Sequence, residues 1–271
     1  MSASFETIRT QVNNCVGEIV LNRPEKRNAL NAKMVDELHT IFAAWEKDAH
    51  VKIVLLKGEG KAFCSGADLA YLQEMRHFDY QKNLQDSRDL GRLFLRIYAF
   101  PKPVIAQVEG PALAGGCGLA SVCDLIIASE NAKFGYPEVK IGFVAALVST
   151  FLIRQIGERK AKELLLSGRI LSAREALDFG LINQVVTSDR MQDSIRLWIE
   201  ILMKNGKQAM AVTKRLFSDF SYQNIEKDIE RLSEVNAHFR QTDEFSEGIR
   251  AFLEKRLPNW QSETKREERI C

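Results

Sequence analysis

GPALAGGCGLASVCDL, residues 110–125, is the stretch that decides the fold of this chain. It indicates the end of a strand, a glycine turn and a buried helix. The helix begins at Gly115 and Gly116, and a third glycine, Gly118, follows one turn later. Glycine inside a helix costs about 1 kcal/mol relative to alanine. These glycines therefore indicate that backbone or a ligand comes close to the start of the helix.

The same arrangement of strand end, glycine turn and helix start occurs earlier, in GKAFCSGADLAYL at residues 60–72. A buried strand ends just before it, a turn containing Gly66 follows, and Asp68 is placed to cap the next helix. Both turns would point backbone N–H groups outward where a helix starts. Two such donors that converge on one point would stabilise an anionic oxygen. The alternative is that both are ordinary strand-to-helix turns.

A third stretch, NAKFGYPEVKIG at residues 131–142, contains a single carboxylate of interest. Glu138 follows Pro137 and lies between two apolar runs. A carboxylate held there would be partly desolvated, with a raised pKa that suits proton transfer. The alternative is a solvent-exposed glutamate on a loop.

Around these stretches, strands and helices alternate. Two N-terminal runs flank Asn13 and Asn14 and predict a hairpin. Buried strands are predicted in VKIVLLKG, KPVIAQVEG and DLIIAS, with helical segments at about residues 31–48 and 69–100 between them. Continuous apolar strands separated by helices predict an α/β fold with parallel pairing. From residue 146 onward, consecutive helices are predicted, two of them closed by glycine, and the last quarter is also helical.

Composition narrows the class of protein. The 271 residues are 45% hydrophobic and 27% charged with a net charge of +2, which is typical of a soluble globular protein. Interleaved charges argue against nucleic acid as a partner.

No apolar run reaches the roughly 18 residues of a membrane span. The first ten residues do not resemble a signal peptide. Free thiols in a reducing cytoplasm are predicted for the five cysteines, Cys15, Cys64, Cys117, Cys123 and Cys271. Neither metal-ligand spacing nor a dinucleotide fingerprint occurs.

Four blocks, LNRPEKRNALN, GKAFCSGADL, GPALAGGCGLASVCDLIIAS and AKFGYPEVKIG, occur in this order. Together they resemble the signature blocks of the crotonase superfamily, also called the enoyl-CoA hydratase/isomerase family, over about residues 5–260. The resemblance implies a crotonase-like ββα spiral core in residues 1–200 and an α-helical C-terminal trimerisation segment in residues 201–271. It implies homotrimers or dimers of trimers. It also implies an acyl-CoA thioester substrate, so coenzyme A is part of the substrate and no separate cofactor is expected.

The resemblance also implies roles for individual residues. The N–H groups of Ala67 and Gly115 would hold the thioester oxygen, and Glu138 would be the acid–base group. No metal ligands are expected. The residues that would contact coenzyme A or the substrate, in this or a neighbouring subunit, are Lys26, Arg27, Ala29, Cys64, Ser65, Gly66, Asp68, Leu69, Gly118, Phe252 and Lys255. The acyl pocket would be lined by residues 71–95 and 143–151.

Gly118 is a departure from the family pattern. Two-glutamate hydratases of this family carry a glutamate there. With Glu138 alone, hydration remains feasible if that group takes a proton from water and returns it to C2, or if another polar group or the carboxylate of the substrate holds the water. Isomerisation of the double bond needs only one base, and a catalytically weak acyl-CoA-binding protein is a further alternative. Residues 115–124 and 137–157 are similar to methylglutaconyl-CoA hydratase-like members, in which Gly118 would leave room for a branched or carboxylated acyl group. Hydration is therefore the first expectation.

Overall fold

The computed structural model describes residues 5–219 and 222–260. The strands are β1 (Ile8–Asn13), β2 (Val16–Leu21), β3 (Ile53–Gly58), β4 (Val104–Val108), β5 (Pro111–Leu113), β6 (Leu125–Ser129), β7 (Lys133–Gly135), β8 (Ile170–Ser172) and β9 (Gln184–Val186). The helices are α1 (Ala32–Lys47), α2 (Leu69–Met75), α3 (Tyr80–Tyr98), α4 (Gly115–Ser121), α5 (Ala146–Ser167), α6 (Ala173–Phe179), α7 (Met191–Met203), α8 (Lys207–Asp219), α9 (Tyr222–Phe239) and α10 (Asp243–Leu253). Short 3₁₀ segments occur at Pro24–Lys26, Pro137–Ile141 and Ser188–Arg190.

The central sheet has six strands in the order β1-β2-β3-β4-β6-β9. Its first pair is antiparallel and forms a hairpin. The turn residues Asn14 and Cys15 have φ values of 49° and 63°, as tight two-residue hairpin turns require. Every other neighbouring pair in this sheet is parallel. The predicted hairpin and the predicted parallel α/β arrangement are therefore confirmed.

Helices cover both faces of the central sheet. Ile19, Val54 and Ala106 belong to the core that includes the apolar stripes of α1 and α3. Ile53 and Ile105 belong to a second core on the opposite face, beneath α7. Successive side chains of a strand point to opposite faces, so adjacent residues of β3 enter different cores. This explains the continuous apolar run of that strand.

A second sheet, with the order β5-β7-β8, positions the functional segments. β5 and β7 run parallel, with Leu113 opposite Gly135. The segments that follow these two strands therefore start side by side, and they are α4 and the 3₁₀ turn Pro137–Ile141. An isolated parallel bridge between Cys64 and Ala112 links this sheet to the turn after β3.

Helix boundaries differ from the prediction in two places. The helical region predicted at residues 69–100 is interrupted between α2 and α3, where Asp79 caps α3 through the N–H of Lys82. The two helices predicted at residues 146–168 are joined in α5 by a kink at Gly157, with φ 78° and ψ 158°. Left-handed glycines end α5 and α6, at Gly168 and Gly180, as predicted.

The C-terminal helices pack onto the rest of the chain. Helix α9 lies along α3 and α5. Its residues Ile225 and Ile229 belong to the core that includes the apolar stripes of α1 and α3. Residues 261–271 of the predicted trimerisation segment lie outside the described residues. The division of the chain at residue 200 stays a prediction.

Within residues 5–219 and 222–260, no helix combines the length and apolarity that crossing a membrane requires. Cys15, Cys64, Cys117 and Cys123 are free, as predicted, and Cys271 lies outside the described residues.

Candidate active site

The turn after β3 and the turn after β5 meet at one place. The N–H of Cys64 donates to the Pro111 carbonyl at 3.2 Å, and the N–H of Leu113 donates to the Cys64 carbonyl at 2.9 Å. Ala67 and Gly115 follow shortly after these contacts in their two segments. The structure therefore brings the two predicted oxyanion segments together.

Close packing between the turns explains two of the glycines. Gly66 has a φ of +92°, and a Cβ there would lie 2.8 Å from the Cβ of Ala114. A Cβ at Gly116 would lie 2.2 Å from the carbonyl oxygen of Cys64. Both distances are too short for any side chain. The start of α4 is glycine-rich because the backbone of the other turn packs directly against it.

Within the described ranges, the N–H groups of Ala67 and Gly115 are free to donate. The N–H of Leu30 donates to the Gly66 carbonyl at 2.7 Å, and the N–H of Asp68 donates to the Leu30 carbonyl at 2.9 Å. In this parallel pairing the N–H of the intervening Ala67 faces away from Leu30. Gly115 is the first residue of α4, where N–H groups have no partner within the helix. Among the described residues, no backbone hydrogen bond uses either N–H.

The residue before α4 has an unusual backbone conformation. Ala114 has φ 50° and ψ −128°, a region that non-glycine residues rarely occupy. Its N–H donates to the Gly135 carbonyl at 2.8 Å, and its carbonyl accepts from Gly118 at 3.0 Å. Strain of this kind costs about 1–3 kcal/mol and clusters at functional sites. Nothing in the sequence indicates it, because alanine is not typical of this conformation.

Glu138 lies in the 3₁₀ turn Pro137–Ile141, directly after β7. Only 8% of its surface is exposed. Its Oε2 atom has no hydrogen-bond partner within the described part of the chain. Burial raises the pKa of this carboxyl group from 4.5 to about 7. The structure therefore has the desolvated carboxylate that was predicted, rather than a glutamate on an exposed loop.

The space beside Gly118 is filled by apolar side chains. A Cβ built at this glycine would lie 2.6 Å from Val148 Cγ1 and 3.0 Å from Phe94 Cζ. Val148 and Phe94 are themselves buried. The expectation that Gly118 leaves room for a branched or carboxylated acyl group is therefore wrong, while contact of Gly118 with the substrate stays a prediction. Side chains of α5 and α3 occupy that volume.

Part of the predicted coenzyme A site is assembled. Lys26 and Arg27 are exposed, Ser65 is half-buried and Ala29 is buried. The N–H of Ser65 donates to the Arg27 carbonyl at 3.1 Å, which holds the loop with the two cations against the turn that contains Gly66. Exposed lysine and arginine side chains suit a ligand that carries phosphates.

Cys64 and Asp68 differ from their predicted role. Cys64 has no exposed surface, and burial raises the pKa of its thiol to about 12. Asp68 is also buried, and its carboxylate accepts from the N–H of Ala70 at 2.9 Å and pairs with Arg23 at 2.5 Å. Asp68 therefore caps α2, as predicted. Both side chains hold the turn in place and are not available to coenzyme A.

The remaining predicted contacts are dispersed. Phe252, near the end of α10, is 49% exposed, and the N–H of Lys255 donates to its carbonyl at 3.2 Å. Neither residue has a hydrogen bond to residues 26–29 in the ranges that the structure describes. Their role in binding coenzyme A stays a prediction. Leu69 begins α2, but its side chain lies outside the described residues.

A cavity of about 460 Å³ lies between α1, α2 and α3. Its lining includes His39, Tyr71 and Asp86. Tyr71 and Asp86 belong to the segment 71–95 that was predicted to line the acyl pocket, whereas Ala67, Gly115 and Glu138 do not line this cavity. Across the described ranges, no three His, Cys, Asp or Glu side chains gather in a way that would hold a metal ion.

Phe94 and Val148 lie in the two ranges predicted to line the acyl pocket, whereas sequence reasoning missed two other residues around the site, Ser121 and Tyr136. Only Tyr136 carried a usable signal, since it directly precedes Pro137 and Glu138. Ser121 is a small residue on a predicted helix, where core packing is the ordinary interpretation.

Comparison with known proteins agrees with this geometry. The model of the enoyl-CoA hydratase/isomerase family matches residues 11–263. A "Putative enoyl-CoA hydratase" of Thermus thermophilus is 43% identical over 245 residues, covering 90% of this chain and 97% of that protein. An enoyl-CoA hydratase/isomerase structure from Xanthobacter autotrophicus Py2 is 31% identical with a TM-score of 0.84, covering 93% of this chain and 97% of that one. An enoyl-CoA hydratase structure from Bacillus halodurans is 26% identical with a TM-score of 0.86, covering 91% of this chain and 100% of that one. The predicted crotonase-like fold is confirmed, and the chain belongs to the enoyl-CoA hydratase/isomerase family.

Proposed function

We propose that this protein adds water across the 2,3 double bond of an enoyl-CoA thioester. The observation that carries the proposal is the buried Glu138, with an unpartnered Oε2 and a pKa of about 7. A carboxyl group with a pKa near neutrality both accepts and returns a proton efficiently. The unused N–H groups of Ala67 and Gly115 support the stabilisation of negative charge on the thioester oxygen.

With one carboxyl group, Glu138 must accept a proton from water and then give that proton to the substrate. The Glu138 carboxylate takes a proton from water while the water oxygen forms its bond to C3. The electron pair of the C2–C3 double bond moves onto the thioester oxygen, and the resulting enolate accepts hydrogen bonds from Ala67 and Gly115. Glu138 then gives its proton to C2, and the thioester carbonyl re-forms. The product has gained one water molecule and Glu138 is again ionised.

Isomerisation of a 3-enoyl-CoA is the second candidate, and one observation favours it. Phe94 and Val148 fill the space beside Gly118, so a second carboxylate does not stand there to orient water. Moving the double bond requires only one base, which removes a proton from C2 and returns it to C4. Glu138 alone is sufficient for that reaction.

For the acyl group, we propose a branched enoyl-CoA such as 3-methylglutaconyl-CoA. The support is the similarity of residues 115–124 and 137–157 to methylglutaconyl-CoA hydratase-like proteins. The filled space at Gly118 gives no support, so the room for a branch would have to come from residues 71–95 and 143–151.

A side-by-side assay of crotonyl-CoA, 3-methylglutaconyl-CoA and a 3-enoyl-CoA tests these proposals. We expect both conjugated thioesters to lose their ultraviolet absorbance, faster for the preferred acyl group. Glu138→Gln should lower kcat by about 10²- to 10⁴-fold, the usual contribution of a general acid–base group. The matched control is Glu130→Gln, which changes an exposed glutamate after β6 and should keep the native kcat.

Three other outcomes would change the assignment. A gain of conjugated absorbance from the 3-enoyl-CoA alone would assign an isomerase. Calorimetric binding of the thioesters without turnover would assign an acyl-CoA-binding protein. Native turnover in Glu138→Gln would remove this residue from the mechanism.

We also propose that the chain assembles as a homotrimer or a dimer of trimers. Exposed apolar side chains on neighbouring helices support association. They are Leu197 and Ile201 on α7 and Val212, Leu216 and Phe217 on α8. Burying such a surface is a main driving force of stable association. Sedimentation velocity should give the mass of three or six chains, and a monomer would contradict the proposal.

A further inference from the structure

We propose that Tyr136 is a positioning residue that fixes the orientation of α4, and with it the N–H of Gly115, relative to Glu138. The inference rests on the proposed function, because it concerns the same site. Tyr136 is the residue before the 3₁₀ turn that holds Glu138. Its side chain has no exposed surface, so it touches only other parts of the protein.

The hydroxyl group of Tyr136 reaches the last turn of α4. It donates to Ser121 Oγ at 3.3 Å, a long hydrogen bond, and it also has a polar contact with the thiol of Cys117. Ser121 Oγ in turn donates to the carbonyl of Gly118 at 2.9 Å. A chain of polar contacts therefore runs from the segment of Glu138 into the helix that begins at Gly115.

Helix α4 is consequently held against that segment at two points. At its start, the N–H of Ala114 donates to the Gly135 carbonyl at 2.8 Å. At its end, Ser121 meets Tyr136, about 10 Å away along the axis at 1.5 Å per residue. Gly135 and Tyr136 are consecutive, so one short segment contacts both ends of the helix, through the Gly135 carbonyl and the Tyr136 hydroxyl.

Two contact points fix the direction of the α4 axis, whereas a contact at one end fixes only the position of that end. Gln155 also donates to the Ser121 carbonyl, but this contact ties α4 to α5 and not to the segment of Glu138. Without the Tyr136 hydroxyl, the polar contacts between α4 and the segment of Glu138 that remain among the described residues lie near the start of the helix, from Ala114 and Cys117 to Gly135. A misplacement of about 1 Å between reacting groups can lower a rate by about 10²-fold.

The variant Tyr136→Phe removes the contact while leaving no donor stranded, because the Ser121 hydroxyl keeps its acceptor at Gly118. We expect kcat to fall by about tenfold, with KM within about twofold of native and Tm within about 3 °C. Ser121→Ala should cause a similar loss, and the double variant should lose no more than the larger single loss, since both changes break one chain of contacts. The matched control is Tyr98→Phe, on a half-buried tyrosine that packs on Phe151, and it should keep the native kcat.

A purely structural role for Tyr136 would give a different pattern. Native kcat in Tyr136→Phe, or losses that add fully in the double variant, would overturn the proposal. If Tyr136→Phe does not fold, Ser121→Ala alone decides, and native kcat in that variant would have the same meaning.

A second readout separates this proposal from the proposed function. Acetoacetyl-CoA has an enolate that absorbs in the ultraviolet, and bound enolate reports the alignment of the two N–H donors without any turnover. If the native protein converts none of the three thioesters, the proposed function fails, and Tyr136 is judged by this signal. A weaker enolate signal in Tyr136→Phe than in native protein supports the positioning role. An equal signal in the two proteins overturns it.

Discussion

Replacing Glu138 by glutamine should make the protein more stable at alkaline pH, although it removes the proposed acid–base group. Burial raises the pKa of Glu138 from 4.5 to about 7. Each pKa unit corresponds to about 1.4 kcal/mol, so ionisation of this carboxyl group in the folded protein costs about 3 kcal/mol. Glutamine has nearly the same shape and does not ionise, so the variant avoids this cost.

The direction in which stability changes with pH follows from proton binding. Between pH 4.5 and 7 the folded protein holds a proton on Glu138 that the unfolded chain has released, so native stability falls as pH rises. The stabilising contribution of the protonated group is complete below the unfolded pKa and is lost as pH passes the folded pKa. Relative to Glu138→Gln, the native protein should therefore lose roughly 2.5 kcal/mol between pH 5 and pH 8.

Urea unfolding of both proteins at pH 5, 6, 7 and 8 measures this difference. The other titratable groups are common to both proteins. Subtracting the two curves of unfolding free energy against pH therefore isolates the contribution of Glu138. The control Glu130→Gln removes one negative charge from the exposed surface and corrects for the change in net charge. A native-to-variant difference that stays within about 0.5 kcal/mol from pH 5 to pH 8, after this correction, would refute the burial argument.

Three more results are expected. If the ionised Glu138 takes the proton from water, kcat should rise with pH and level off above about 7; a pH–rate profile that is flat from pH 5.5 to 8.5 would contradict this. Gly118→Glu should lower the free energy of unfolding by about 1–3 kcal/mol through overpacking, and Val148→Ala in the same chain should recover part of the loss; urea unfolding that shows no recovery would mean that Val148 is not the obstacle. Ala114→Gly should raise the free energy of unfolding by about 1 kcal/mol, because strain relief exceeds the greater entropy of unfolded glycine; an unchanged or lower urea midpoint would exclude strain at this position.

The sequence predicted the parts of the fold that depend on local pattern. Continuous apolar runs identified the parallel strands β3, β4 and β6. A turn signal identified the hairpin that closes at Asn14. The interruption between α2 and α3 was not predicted, because the polar residues there fit a helix as well as a turn. Asp79 decides the matter by capping α3 through a hydrogen bond that only the folded geometry reveals.

The candidate site was less predictable because its determinants are contacts between distant residues. Ala67, Gly115 and Glu138 follow from their motifs. The burial of Cys64 does not, because the same residue would be accessible if β5 ran elsewhere. The space beside Gly118 is filled by side chains from α3 and α5. A glycine in a sequence does not reveal which distant side chains pack against it. Packing of this kind is a property of the tertiary structure.

The bridge between Cys64 and Ala112 has a consequence for the order of folding. It joins two segments separated by α2, α3 and β4, so the loop between them must close before the two turns can meet. Contacts of such long sequence separation form slowly. A chain emerging from the ribosome would therefore complete the β1–β2 hairpin early but could hold no thioester until β5 had docked. Acyl-CoA affinity should accordingly appear in one late step during refolding and report completion of the whole fold.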